Sequence, residues 1–505
     1  MPETAIFASP IFLVLAVIIV ILVFVGRLKI LIIFAVIGGI IFGLWRGTMM
    51  RVDLNDYENF IGQNVIVHGK VKEDPDIGPS HDVRVRLVNV EIILVSEWEN
   101  LDGEVDDLNE YFTPLNSEIW ASVSVRGIEI KRSDVIEING KLRSGFGTFP
   151  VSMSFAELES VERSVEADPA RDIRDGFGDK LRTVIPSPAA DLGMGILAGQ
   201  KTALPFDLTT AFIAASLTHI IVASGYNLTI LIRFARRLFA KISRFAALSF
   251  SGLLVFAFAC VTGFSPSMTR ASLVAGLSLL TWYYGRKFHP VVLLTLVAAI
   301  TIMINPVSIW GDAGWYMSFL SFIGVIILAP LVKNYFWGNE REFAKKPALK
   351  IRVLAALGFK KAKDKLDEPV EKSHSIRQVF IETLSAQIMA APIIALFMGQ
   401  FAPYGLLANI IVLPIVPLTM LLTFIGGIAA FILPTSIAQI IATPATWLLN
   451  YIIEIAKWVS EFPGASQEIA INGWMIVVIY ALLLAAIFYM KWRTKHDFRG
   501  DNVVV

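Results

Sequence analysis

Leu217–Leu231, LTHIIVASGYNLTIL, is apolar enough to sit in a bilayer, yet it holds His219, Ser224, Gly225, Asn227 and Thr229. An unsatisfied polar group at membrane depth is costly, so these residues must meet protein or a wet cavity. A Ser-Gly pair loosens a helix and frees backbone groups, as the broken helices of transporters do. Two readings stay open. One is a polar site on a path. The other is a small-residue packing point at Gly225, with His219 hydrogen-bonded to a neighbouring helix.

Composition sets the frame around that stretch. Of 505 residues, 55% are hydrophobic and 17% charged, where a soluble protein carries about 25% charged residues. The chain is therefore an integral membrane protein with at least one wet part. The net charge of +1 says nothing of partners, so the placement of charge matters. A single cysteine, Cys260, excludes an intrachain disulfide framework and a Cys-based zinc site. The N-terminus has neither the basic start nor the cleavage site of a signal peptide and reads as a retained transmembrane helix.

Ile6–Val25 and Ile30–Trp45 read as a transmembrane hairpin over 1–50, turned at Arg27 and Lys29 on the cytoplasmic side. Residues 51–165 change character. Alternating runs such as NVIVHGKV, VRVRLVNVEIILV and DVIEINGKL read as strands of an OB-like all-β domain outside the membrane. This segment holds 22 Asp+Glu against 11 Lys+Arg, a poor overall surface for nucleic acid. Segment 99–116 reads as an acidic loop. Residues 166–207 read as interfacial amphipathic helices.

From 208 to 491 the expected spans are 209–232, 244–263, 267–284, 290–305, 313–333, 377–398, 404–433, 437–460 and 472–490. Pro414 and Pro417 predict a kink or break in 404–433. With the hairpin, the fold class is a polytopic α-helical membrane protein of about 11 transmembrane helices with an extracytoplasmic β domain. Basic connections at 233–244, 286–287 and 334–376 lie on one side by this alternation. So does the tail 492–505, placing the C-terminus in the cytoplasm.

The residues resemble the ComEC family of competence proteins. The resemblance rests on LTHIIVASGYNLTIL, on GILAGQKTALPFDLTTAF before it, and on GFSPSMTRASLVAG and NPVSIWGDAGWYMSFLSFIGV after it. A fifth stretch, SAQIMAAPIIALFMGQFAPYGLLANIIVLPIVP, completes an ordered series covering roughly 35–490. The resemblance implies a multi-pass inner-membrane channel that imports single-stranded DNA during natural transformation. Its partners would be the strand, the lipid bilayer, a separate nuclease, and a cytosolic helicase or single-strand-binding protein. Two features depart from the family. Asn227 stands where a second histidine is usual, and asparagine does not titrate. The family's C-terminal metallo-β-lactamase-like domain is not expected after the last span. The six histidines form no His-x-His pair, so no metal or other cofactor is expected.

The expected path residues are His219, Ser224, Gly225, Asn227, Arg270, Asp312, Gln387 and Asn409. Arg270 is either a phosphate contact or a snorkelling cation. Asp312 reads first as a helix N-cap and second as a partner of Arg270. Gln387 and Asn409 suit interhelical hydrogen bonds as well as a lumen. On the β domain, Lys131, Arg132, Lys141 and Arg143 are the one local basic cluster and the expected DNA contact. Trp98, Tyr111, Phe112, Trp120, Phe146, Phe149 and Phe155 read mainly as core, with base stacking as the alternative. No Gly-x-x-x-x-Gly-Lys-Ser/Thr loop occurs, and His219 with Ser224 lacks an acidic third member, so no enzyme is expected. The alternative function is a channel or transporter for a small anionic solute using the same broken helix.

Overall fold

Alternation of buried and exposed side chains builds the β domain. In β1 (Asn64–Val71), Val65, Val67 and Val71 point inward while His68 and Lys70 stay partly exposed. The other strands are β2 (Asp76–Ile77), β3 (Val83–Leu94), β4 (Thr113–Leu115), β5 (Ile119–Ser124), β6 (Val135–Ser144) and β7 (Val151–Glu162). The ladders β1–β3, β3–β5, β5–β7, β7–β6 and β6–β1 close a ring. All are antiparallel except β5–β7, which is parallel. Leu87, Ile119, Ile136, Ile138, Leu142 and Met153 fill the interior. At the corner of β6, Gly140 lies against Ala156, where a Cβ would sit 3.3 Å from the Ala156 Cα.

The computed structural model describes residues 39, 42–47, 57–78, 82–98, 112–115, 118–125, 128–147, 149–163, 168–200, 204–285, 290–337 and 376–496. The expected N-terminal hairpin, the acidic loop 99–116, the lysine-rich loop 334–376 and the tail fall largely or wholly outside them.

Thirteen helices of eight residues or more follow among the described residues. They are α1 (Pro169–Val184), α2 (Ala189–Ala198), α3 (Phe206–Ala214), α4 (Gly225–Phe239), α5 (Arg244–Val261), α6 (Pro266–Tyr283) and α7 (Pro290–Ile304). Then come α8 (Ala313–Trp337), α9 (Ile376–Met398), α10 (Gly405–Val412), α11 (Val416–Ile432), α12 (Thr435–Ser460) and α13 (Gly473–Thr494). Five are long and apolar enough to cross a membrane: α5, α8, α9, α12 and α13. The pair α10–α11 makes a sixth if counted as one span. It bends by 54° where Pro414 and Pro417 were expected to break it.

Three expected spans come out differently. Segment 209–232 is not continuous: α3 stops, Ser216 adopts a left-handed φ of 55°, and a single turn, Thr218–Ile221, precedes α4. α6 is not apolar enough for the same test because it carries Arg270 and several hydroxyl residues, and α7 has only 15 residues. α2, expected at an interface, instead lies inside the largest apolar cluster, with nearly every residue buried.

The contacts define two ends of the helical part. The α5–α6 turn meets Arg132, and a Cβ on Gly311, before α8, would collide with the Gly147 backbone. The Tyr316 ring, early in α8, stacks 6.2 Å from Phe397, late in α9. Next, β8 (Gln400–Phe401) pairs with β9 (Gln467–Glu468), bringing the end of α12 to the same, β-domain end. At the far end Asn334 meets His496 at 2.7 Å. α8 and α9 cross closely because Gly324 has no side chain; a Cβ there would lie 2.5 Å from the Ser385 carbonyl oxygen. A short π-helical segment, Gly324–Leu328, sits at that crossing. Gly324→Ala should therefore lower stability by about 1–3 kcal/mol through overpacking. A fall in Tm of the detergent-solubilised protein checks this, with Gly252→Ala, at a glycine facing open space, as the unaffected control.

Candidate functional site

The helix break gathers polar groups because the chain cannot bond to itself there. His219 sits in the single turn Thr218–Ile221, and its ring hydrogen-bonds the Ser216 backbone. His219 is an exposed residue of the helical part. Tyr226 shares that character and donates its hydroxyl to the Leu413 carbonyl at 3.1 Å. Ser216 packs under Gly405, where a Cβ would collide with it and would lie 3.4 Å from Gln387 Nε2. So His219 and Gln387 share one neighbourhood through Ser216 and Gly405. No sequence signal marked Ser216 or Gly405, since their closeness is a contact between distant segments.

Ser224 is extended and precedes α4, with its Oγ buried and unpartnered. Gly225 presses α4 onto α6 and α8; a Cβ would stand 3.3 Å from Ala271 Cβ and 3.6 Å from the Phe322 ring. The small-residue packing reading of Gly225 thus has a contact behind it. Asn227 is fully buried and donates Nδ2 to the Ile196 carbonyl at 3.0 Å, tying α4 to α2. Among the described residues its Oδ1 has no partner.

Arg270 is buried on α6. Its Nη2 donates to the Gly314 carbonyl at 2.9 Å, and Nη1 lies 3.7 Å from Asp312 Oδ2. Asp312 also caps α8 by accepting from the Trp315 amide at 3.0 Å. Both readings of Asp312 hold together, and Arg270 does not snorkel to an exposed end. Its Nε remains buried without a partner. Asn409, on α10, is buried with its Oδ1 unpartnered. The structure therefore forms two small groups, one around His219 and Gln387, the other around Arg270 and Asp312. Asn227 serves as a separate tie. Among the described residues no group of three His, Cys, Asp or Glu could hold a metal ion.

The β-domain cations divide. Arg132 is 2% exposed and grips Asp168 twice, at 2.6 and 3.0 Å, while its Nη1 donates to the Val261 carbonyl at 3.0 Å. Lys131 pairs with Asp175 at 3.2 Å. These two corrections have one cause: acidic partners far along the chain fold onto them. Beside them the fully buried Asp134 accepts from Arg163, Arg171 and the Lys131 amide. Arg174 joins Asp74 and Asp175. Together they bind the β domain to α1. Burial alone would raise the Asp168 carboxyl. The Arg132 hydrogen bonds and the Arg171 amide outweigh burial and hold it below the usual carboxylate value. Lys141 and Arg143 remain exposed on one face of β6.

The aromatic residues correct a further expectation. Of the seven named from the sequence, none of the described ones is a buried member of the β-domain core, where Tyr57 sits instead. Trp120, Phe146 and Phe149 cluster at the surface with centroids 5.0 and 5.8 Å apart, and Arg86 sits 4.7 Å over Phe149.

A family model described as Competence protein matches residues 196–494, more than half of the chain. No curated protein and no solved structure matches.

Arg132→Ala should cost about 1–3 kcal/mol because it removes charge-assisted hydrogen bonds to the partly exposed Asp168 carboxylate and the tie to the Val261 carbonyl. Lys141→Ala with Arg143→Ala should stay within about 0.5 kcal/mol of wild type. Thermal unfolding of the full chain in detergent compares them. The Asp168 carboxyl is depressed in the fold, so its contribution is complete near neutral pH. It should be lost only as pH falls below about 4, checked by Tm against pH.

Proposed function

The chain belongs to the competence protein family, and from that premise we propose that it is a multi-pass inner-membrane channel importing DNA as a single strand during natural transformation. The observation that carries the reading is the family match over nearly all of the helical part, from late in α2 to the end of α13. The ComEC-like motif series lies in the same region. The helix break, with His219 and Tyr226 exposed beside it, is an arrangement by which a membrane protein can offer polar groups to a passing solute.

The β domain, outside the matched residues, suits a strand-meeting role. Its closed five-strand ring with one parallel closure is the order we read as OB-like. Exposed Phe146, with Trp120, Phe149 and Arg86, offers rings on which bases can stack, and Lys141 and Arg143 offer phosphate contacts. The domain would then stand outside the cytoplasm and the C-terminus inside it. The chain carries no phosphate-binding loop for ATP. Its proposed partners are a cytosolic helicase or single-strand-binding protein and a nuclease.

The test is entry of labelled single-stranded DNA into liposomes holding the purified chain. The wild type should admit the strand. Arg270→Ala should admit less, because α6 and α8 lose the contact that sets them beside Gly225. Phe146→Ala with Lys141→Ala should weaken strand binding at unchanged Tm. Passage of small anions without any strand would overturn the reading.

A further inference from the structure

α12 presents three faces along its 26 residues. One, including Ala442 and Leu449, is buried in the main core. A second, at about 150° from the first, carries exposed Ile440, Trp447, Tyr451 and Trp458, side chains suited to lipid. Between them runs a polar stripe: Gln439, Thr443, Thr446, Asn450, Glu454 and Lys457. The spacings of three and four place all six on one side of the helix. Gln439, Asn450, Glu454 and Lys457 are exposed, and the two threonines half-buried. A helix long enough to span a bilayer does not offer such a stripe to hydrocarbon.

The neighbour of that stripe is α1, whose sequence PARDIRDGFGDKLRTV is heavily charged. Its N-terminus is held at the β domain by Asp168, Arg171 and Arg174. Its C-terminus lies at the other end of the helical part, where Gln439 donates to the Thr183 carbonyl at 3.3 Å. Midway, Phe177 stacks on Phe424 and Phe431 of α11. So α1 descends along the bundle instead of lying flat on it, and it carries exposed Asp172, Asp179 and Lys180 with it. At its lower end a cavity of about 390 Å³ opens between Arg182, Thr183, Gln439, Thr443 and Thr446.

We infer that α1 and the polar stripe of α12 wall a water-filled furrow through the bilayer, and that this furrow is the route of the DNA strand. The second half rests on the channel reading above. The furrow's chemistry fits transit better than storage. Its hydroxyls and amides hydrogen-bond without trapping, Lys457 is paired to Glu454 at 3.1 Å, and Arg182 to Asp179 and Asp191. A passage must bind weakly enough to release.

The single cysteine makes the test direct. In the full chain with Cys260→Ser, one cysteine is placed at Thr443, Thr446 or Asn450, and for comparison at Ile440 or Trp447. Each variant is reconstituted in liposomes, checked for wild-type Tm, and treated with a charged, membrane-impermeant thiol reagent. A thiol reacts as its thiolate, which forms in water and not in lipid. Labelling is expected at the three polar-stripe positions and lost at the two lipid-side positions. A thymidine oligonucleotide should suppress it. Labelling that is absent from the stripe, or equal on both faces, overturns the furrow. Labelling untouched by the oligonucleotide, in liposomes that still take up the strand, overturns the route while leaving the channel reading intact. Strand entry absent from every variant and from the wild type sinks the channel reading itself, and with it the route.

Discussion

The buried ion pairs between the β domain and α1 fix how the two halves of this protein meet. Asp134 is fully buried and would be intolerable there without Arg163 and Arg171. Arg132 is equally buried and is satisfied only by Asp168 and the Val261 carbonyl. Apolar groups could fill the same space with comparable stability, but they would accept many orientations. Charged groups in these pairings accept one. The result sets Gly147 against Gly311 and sends α1 from the β domain down the side of the bundle.

From that fixed end the polar groups of the helical part fall into kinds. Asp312 and Arg270 join a helix cap to a neighbouring helix. Asn227 ties α4 to α2. Such groups hold helices together and use up part of their hydrogen-bonding capacity in doing so. His219 and Tyr226 differ, since both are exposed residues. The break at Ser216 and Ser224 is what turns them away from helix packing.

Much of this was legible in the sequence because it depends on neighbours along the chain. Period-two alternation gave the strands of the β domain, Pro414 and Pro417 the bend, and Asp312 its cap. What depended on distant segments was not. Lys131 and Arg132 looked like a free basic patch because Asp168 and Asp175 lie more than thirty residues away. The aromatic residues looked like core because nothing local says which face of a closed ring they occupy. Segment 209–232 looked continuous because its hydropathy is, while its backbone is interrupted by a left-handed serine. α2 looked interfacial along with the rest of 166–207, whereas its glycines admit Ile221 and Thr423 at close range.

α1 shows how these limits combine. Its amphipathic pattern is plain, and an amphipathic helix beside a membrane protein is ordinarily placed flat at the lipid surface. Its apolar face, however, is narrow and carries Phe177 and Leu181, which fit the surface of α11 and the main core. Its anchoring arginines are spent on the β domain at one end only. A helix pinned by charge at the top and by aromatic stacking at mid-length has no freedom left to lie flat. In the furrow proposed above its remaining charges meet water, and α12, which reaches the end of α1 through Gln439, supplies a polar surface beside it.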